Sequence, residues 1–308
     1  MYLLWGSTYF AIRVGVHPAH GAAMPPLLMA GTRFTAAGVI LLSAGAARPA
    51  ADRLPDRFGR RQWLAAAVIG ILLLLAGNGV VSVAEQEVPS GVAALALATV
   101  PLWAALIDAA AGGGLASWRQ AAGLLLGFVG VALLVAPGGA GQVHAGGVLL
   151  VVAAAAAWAA GSVWSRTAPS MRRPLVMTGM EMVCGGIATL LAGMLAGEQH
   201  ELRLTHISAQ GWLALAYLIV FGSVAGFTAY TWLLRNAPLP LVTTYAFVNP
   251  LVAVTLGGVF LGEQLSIRTA GAGVAIVSSV LLIVRTSRPA RRPRALRLDA
   301  MAAADERV

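Results

Sequence analysis

Apolar residues in this chain do not alternate with polar ones. They run on for the length of a helix and stop at short stretches of arginine, proline or glycine. Ten such runs can be bounded, at 2–16, 25–46, 62–84, 91–110, 119–136, 146–165, 174–196, 209–233, 241–261 and 267–285. A helix crosses the hydrocarbon layer in roughly 20 residues, and most of these runs come close to that length. The period-two pattern of a barrel strand is missing, so the runs predict helices that satisfy their own backbone in lipid. The first run, YLLWGSTYFAIRVGV, is short for a span, and its start is expected to be clipped.

Composition agrees with that pattern. Of 308 residues, 58% are hydrophobic and 11% charged, with a mean hydropathy of +0.80, too little charge to keep a soluble surface of this length in water. The net charge is +9, and all 21 basic residues are arginines. They cluster between the apolar runs, where they act as topology signals, so nucleic acid is not an expected partner. Arg48, Arg53, Arg57, Arg60 and Arg61 share one side with Arg119, Arg166, Arg172, Arg173, Arg235 and the tail SRPARRPRALR. The other side holds Arg203 and Arg268 with Glu85, Glu87, Glu198, Glu201 and Glu263. Both termini are therefore expected to be cytoplasmic. All five histidines fall on the outer side and read as solvated loop residues. The single cysteine, Cys184, excludes an intramolecular disulfide, and no metal site or cofactor is expected.

The chain also repeats itself. A shift of about 149 residues lays Trp63-Leu64-Ala65 on Trp212-Leu213-Ala214, Ala76-Gly77 on Ala225-Gly226, Pro89 on Pro238, and Pro101-Leu102 on Pro250-Leu251. At slightly different shifts Trp5 and Arg13 fall on Trp158 and Arg166, and MAGTRFTAAG falls on MTGMEMVCGG, which sets Arg33 opposite Glu181. Five runs per half is an odd number, so the second half must enter the membrane upside down. The expected fold is an all-α polytopic membrane protein of ten helices in two inverted five-helix repeats, 1–137 and 146–285, followed by an arginine-rich cytoplasmic tail at 286–308. That arrangement marks secondary transporters, whose substrate sites lie near the bilayer midplane.

The motifs LLWGSTYFAIR, GTRF, VPSGVAALALATVPLWAAL and APLPLVTTYAFVNPLVAVTLGGVFLGEQLS resemble those of EamA-type transporters of the drug/metabolite transporter superfamily. AEQEVPSG and GSVAGFTAYTWLLRNAPLPLVTTYAFVNP are similar to a branch of bacterial inner-membrane permeases in that family. The resemblance covers nearly the whole chain except the tail. It implies ten helices around a central cavity, alternating access, and export of small metabolites.

Candidate chemistry follows from the polar residues inside the runs. Glu181 lies about seven residues into the seventh run, roughly 10 Å deep, where a carboxylate needs a cavity, a partner or a proton. It reads as a proton-coupling or amine-binding group, or as half of an ion pair. Arg33, its repeat-mate, is expected at comparable depth, either binding a substrate carboxylate or pairing with Glu181. Glu85, at the outer end of the third run, reads either as a solvated mouth residue or as part of a gate. Pro101 and Pro250 break equivalent helices, and such paired breaks point to a transporter binding site. Thr99, Trp103, Tyr245 and Asn249 lie around them, with Tyr9, Asn78, Trp158 and Trp232 as further cavity candidates. Trp63, Trp118 and Trp212 read as interface anchors. Gly123 and Gly127 permit close packing of the fifth helix, within the chain or in a homodimer.

The leading expectation is a proton-coupled secondary exporter of amino acids, amines or drug-like compounds in a bacterial inner membrane. Its partners are then a small-molecule substrate, protons and the bilayer. An exchanger of sugars or nucleotides is disfavoured because only Arg33 and Arg13 lie inside the runs. No Walker loop or hydrolase elbow is present, so neither ATP-driven transport nor an enzyme is expected. A non-transporting sensor is the remaining alternative.

Overall fold

The computed structural model describes residues 1–18, 22–47, 59–113, 118–135, 144–171, 173–236, 245–264 and 266–286. Arg48, Arg53, Arg57, Arg172, His20, Pro238, residues 241–244 of the ninth run and the tail from 287 lie outside the described residues.

Within them, the helices form where the apolar runs lie. In chain order they are α1 (Tyr2–Val16), α2 (Pro26–Ala47), α3 (Arg60–Ala84), α4 (Ser90–Leu97 then Val100–Asp108) and α5 (Trp118–Val135). Then follow α6 (Ala145–Ser165), α7 (Pro174–Leu195), α8 (Ala209–Tyr217 continuing through Gly226–Asn236), α9 (Tyr245–Leu261) and α10 (Ile267–Thr286). The longest apolar stretches of α2, α3, α4, α6, α7, α8 and α10 are long and apolar enough to cross a membrane. Those of α5 and α9 are apolar but shorter, and α1 has 15 residues. Among the described residues the β structure is one isolated bridge, Ala22 to Ile207, which joins two connections. Large apolar side chains such as Leu125, Leu195 and Val259 point outward, as they do where the solvent is lipid.

Lipid gives apolar side chains no incentive to leave it, so helices associate through close contact at small residues. Two seams show this. A methyl group on Gly31, Gly38 or Gly45 of α2 would lie within 2.7 Å of Leu190, Val183 or Val176 on α7. In return, Gly179 and Gly186 of α7 sit against Leu42 and Thr35 of α2. The register is antiparallel and unbroken. α5 and α10 form the second seam: Gly123 lies against Ile283, Gly127 against Ser279 and Leu102, and Gly130 against Ile276. The GLLLG spacing thus serves packing within the chain. Around the seams, α1 packs on α8 and α9, and α6 packs on α3 and α4. Likewise α2 packs on α8, and α7 on α3.

Two wide-turn π segments, Ile71–Gly79 in α3 and Leu218–Ala225 in α8, fall in the same place in the repeat register. Such turns loosen the backbone ladder and free carbonyls for other donors. The two prolines are less alike than expected. Pro250 sits inside a continuous α9. Pro101 instead opens a new helical segment after a break at Ala98–Thr99, so it starts a helix and does not kink one. The break suits proline, whose missing N–H is no loss in a first turn.

Candidate functional site

α1 runs through the middle of the polar structure. At its C-terminal end, Arg13 Nη1 donates to the main-chain carbonyl of Glu85, just past the end of α3. The Glu85 side chain has no exposure, and neither carboxylate oxygen has a hydrogen-bond partner. Burial pushes its carboxyl well above the usual carboxylate range. Nearby Glu263 pushes the same way, while the Arg13 and Arg33 guanidiniums oppose, as does the Arg13 main-chain N–H, which lies close to the carboxyl but outside hydrogen-bond geometry. The reading of Glu85 as a solvated mouth residue is therefore wrong. Val81, Ala84 and Val88, its neighbours along the chain, are themselves buried in an apolar cluster with Tyr9.

Arg33 is also buried, at 3% exposure. Its Nε donates to Ser223 Oγ at 2.8 Å, inside the π segment of α8, and its guanidinium carbon lies 4.6 Å from the centre of the Phe34 ring. Tyr9 of α1 and Glu85 are its electrostatic neighbours.

Toward the other end of α1, Trp5 anchors an aromatic group. Its ring centre lies 5.1 Å from Tyr230, 5.1 Å from Tyr245 and 5.4 Å from Phe227. Its Nε1 donates to the Gly222 carbonyl at 3.3 Å. Glycine is required at 226, where a methyl group would lie 2.5 Å from that same nitrogen. On the other side of the repeat Trp158 of α6 sits against Gly77 of α3, its ring 3.0 Å from where a methyl group would be. These are the residues that the repeat register equates with Trp5 and Gly226. Asn249 is 6% exposed; with its amide turned to suit its neighbours, it donates to the carbonyls of Tyr2 at 3.3 Å and Tyr245 at 3.2 Å.

The structure therefore brings Tyr9, Arg33, Tyr245 and Asn249 around α1, and it scatters the other candidates. Thr99 is buried and turns its hydroxyl back to the Ala96 carbonyl at 2.7 Å, at the break in α4. Trp103 packs edge-on to Phe128 of α5 at 5.6 Å, with its indole nitrogen buried and unpartnered. Trp158 lies in the α3–α6 contact against Gly77, and Asn78 is half-buried in the π segment of α3, its main-chain carbonyl accepting from Ser82 Oγ at 3.0 Å. Trp232 is 61% exposed and faces outward, so it does not line a cavity.

Glu181 stands apart from Arg33. It is partly buried and has no hydrogen-bond or ion-pair partner among the described residues. In the α2–α7 register Arg33 lies level with Ala188, seven residues from Glu181, roughly 10 Å along the axis. Each residue is about one and a half to two turns into its own helix, but α2 and α7 start from opposite ends. Equal depth along antiparallel helices places the pair on opposite sides of the midplane, so the expected pairing fails.

A model of the EamA-like transporter family matches residues 1–136 and again 145–285. The chain belongs to the EamA-like transporter family. Over 287 residues it is 40% identical to the inner membrane transporter YedA of Escherichia coli K12, covering 92% of this chain and 88% of YedA. It is 30% identical to the protein PecM of Dickeya dadantii, covering 92% and 89%. It is 27% identical to a protein of Streptantibioticus cattleyicolor named "probable terminal-alkyne amino-acid exporter", covering 94% and 92%. A solved crystal structure at 22% identity shares the fold, with a TM-score of 0.61 over 94% of this chain and 96% of that one. This EamA-like chain is thus a multi-pass membrane transporter.

Sequence reasoning passed over two carboxylates of this EamA-like protein. Gly197 and Gly262, both left-handed at φ +85 and +65, end α7 and α9. The glutamate after each turns onto the start of another helix. Glu198 accepts from the backbone N–H groups of Leu27 (3.1 Å) and Leu28 (2.8 Å) at the head of α2. Glu263 accepts from Ser90 N (2.8 Å), Ser90 Oγ (3.0 Å) and Gly91 N (3.3 Å) at the head of α4. Neither helix start has a side-chain cap of its own, so the carboxylates satisfy orphan donors and complement the helix dipole. The signal was present in the sequence as a repeated Gly-Glu-Gln, at 197–199 and 262–264.

Proposed function

We propose that this protein is a secondary active exporter of small organic metabolites of the amino-acid, amine or drug-like class, driven by protons through alternating access. Its ten helices act as two inverted five-helix repeats, 1–137 and 146–285, in a bacterial inner membrane with both termini cytoplasmic. The observation that carries this reading is packing that repeats itself across the α2–α7 seam. Gly31 meets Leu190 as Gly179 meets Leu42, and Gly38 meets Val183 as Gly186 meets Thr35. The Trp5–Gly226 and Trp158–Gly77 contacts are a further matched set. Two halves that present the same contacts upside down supply the two related arrangements a carrier alternates between.

The substrate class draws support from buried Arg33, Tyr9, Asn249 and the aromatic group on Trp5, which offer one cation, hydrogen bonds and ring faces. Several cations would be needed for a polyanion. The name of the Streptantibioticus relative points the same way. Glu181, a carboxylate within a span and without an ion-pair partner among the described residues, is the coupling candidate on the inner half.

Comparing metabolite efflux from cells with and without the gene identifies the substrate. Counterflow of that radiolabelled compound in proteoliposomes then tests the mechanism. Saturable exchange is expected, accelerated by a proton gradient in net transport. A purified protein that binds a metabolite but exchanges none would favour the sensor alternative.

A further inference from the structure

We propose that Glu85 is a second proton-binding site, distinct from Glu181, and that its occupancy controls closure of the outer end of the transporter. The geometry allows the closed seat to hold a neutral acid and not an anion. Both carboxylate oxygens are buried and unpartnered, and an ionised carboxylate in such a seat is costly. The charged and titratable groups facing it come from α1, α2 and the end of α9, and each is engaged elsewhere or has the wrong sign. Arg13 spends Nη1 on the main-chain carbonyl of Glu85 and not on its carboxylate. Arg33 spends Nε on Ser223. Tyr9, the remaining group on α1, brings a phenol hydroxyl and no cation. Glu263 is an anion held on the head of α4. On the α6 side, His144 is turned to Glu87 in a pair exposed to solvent, 3.3 Å apart.

When α1 parts from the α3–α4 turn, water reaches the carboxyl and Arg13 is released to face it. In that open seat Glu85 behaves as an ordinary carboxylate. Closing therefore takes one proton from the outer water onto the carboxylate, and opening returns it, with no other bond made or broken. The linkage sign is fixed by the raised proton affinity of the closed form. The advantage of closing is fully present below the ordinary carboxylate range and is lost as pH rises through the raised value. Acid outside closes the outer end, and alkali outside opens it.

The inference rests on the transporter reading for what closure means, but its test needs no substrate. Spheroplasts carrying the full-length protein are exposed to dicyclohexylcarbodiimide across external pH, and adducts are mapped by peptide mass spectrometry. The reagent takes its proton from a protonated carboxyl, so the Glu85 adduct is expected at acid pH and falls about tenfold per pH unit above its midpoint. In parallel, Val88→Cys in a Cys184→Ser background places a thiol three residues away, in a position with no exposure in the closed form. Its reaction with a membrane-impermeant maleimide, divided by that of a reference thiol at exposed Glu201 (Glu201→Cys) to remove the ordinary rise of thiolate with pH, is expected to rise over the same pH range. Glu85→Gln should leave that ratio low and independent of pH, and Glu85→Asp should restore the dependence with a shifted midpoint.

No adduct at Glu85 in acid, or unchanged pH dependence in Glu85→Gln, overturns the proposal. If Glu85→Gln does not accumulate, the adduct profile of the unsubstituted residue together with Glu85→Asp decides it. Absent counterflow with pH-dependent labelling intact would count against the transporter reading alone. Intact counterflow with pH-independent labelling would count against this inference alone.

Discussion

Removing the carboxylate that caps α4 tests how much of the fold depends on helix ends tied to their neighbours. Glu263→Ala deletes the acceptor for two backbone N–H groups and one hydroxyl at the head of α4. Loss of an N-terminal cap costs about 0.5–2 kcal/mol. A negative charge at the positive end of the helix dipole adds about 0.3–1 kcal/mol. Together they predict a loss of about 1–3 kcal/mol, held to that range because water can reach the freed donors at the helix end. For a chain of this size that corresponds to a fall in thermal midpoint of about 2–6 °C. Glu198→Ala removes two bonds instead of three and should fall in the lower part of the range. Glu263→Gln keeps one acceptor and should lie between Glu263→Ala and the parent. The control is Glu201→Ala, an exposed glutamate in the same connection as Glu198. Fluorescence-detected gel filtration after heating reads all four. Equal midpoints for Glu263→Ala and Glu201→Ala would refute the capping argument.

Three further outcomes are expected. Glu181→Gln should retain counterflow and lose gradient-driven transport, and a second change, Arg33→Gln, should not restore any lost abundance, because the two side chains are two turns apart; rescue seen on immunoblots would contradict the register. Pro250→Ala should slow turnover more than Pro101→Ala, since only the former restores a donor within a continuous helix; equal rates in proteoliposomes would count against it. Gly38→Ala and its mate Gly186→Ala each drive a methyl to within 2.7 Å of backbone across the α2–α7 seam, so each should cost about 1–3 kcal/mol and lower the midpoint to a similar degree, measured in the same heating assay.

Much of the fold was legible because lipid demands it. A run such as 174–196 has one way to satisfy its backbone, and α7 begins and ends within a residue of that run. The repeat was legible too, since Ala76-Gly77 lies in one π segment and Ala225 ends the other, with Gly226 directly after it. The site was less legible. Arg33 and Glu181 matched in sequence, but their depths were counted from opposite membrane faces. Glu85 looked like a mouth residue because hydropathy does not report that its side chain, like that of Val88, is fully buried. Trp5 was visible as a repeat marker, yet its hydrogen bond to Gly222 depends on a carbonyl released by a wide turn, which no local pattern announces. The Gly-Glu-Gln pairs were readable as chain terminators. Their targets, the heads of α2 and α4, are set by tertiary packing alone.

The two tryptophans also differ in a telling way. Trp5 donates its indole N–H to a main-chain carbonyl, whereas the indole N–H of Trp158, in the mated seat, makes no hydrogen bond among the described residues. Under the proposed alternating access, near-identical seats filled unequally are what two wells of almost the same chemistry would present, differing chiefly in which seat is engaged. On that reading the gap between wells is about a few kcal/mol, so a modest bias from one ligand or one proton suffices to invert the populations. The mate of Gly222 in the register is Leu73, and the same reading expects its carbonyl to be the resting place of the Trp158 indole in the opposite well.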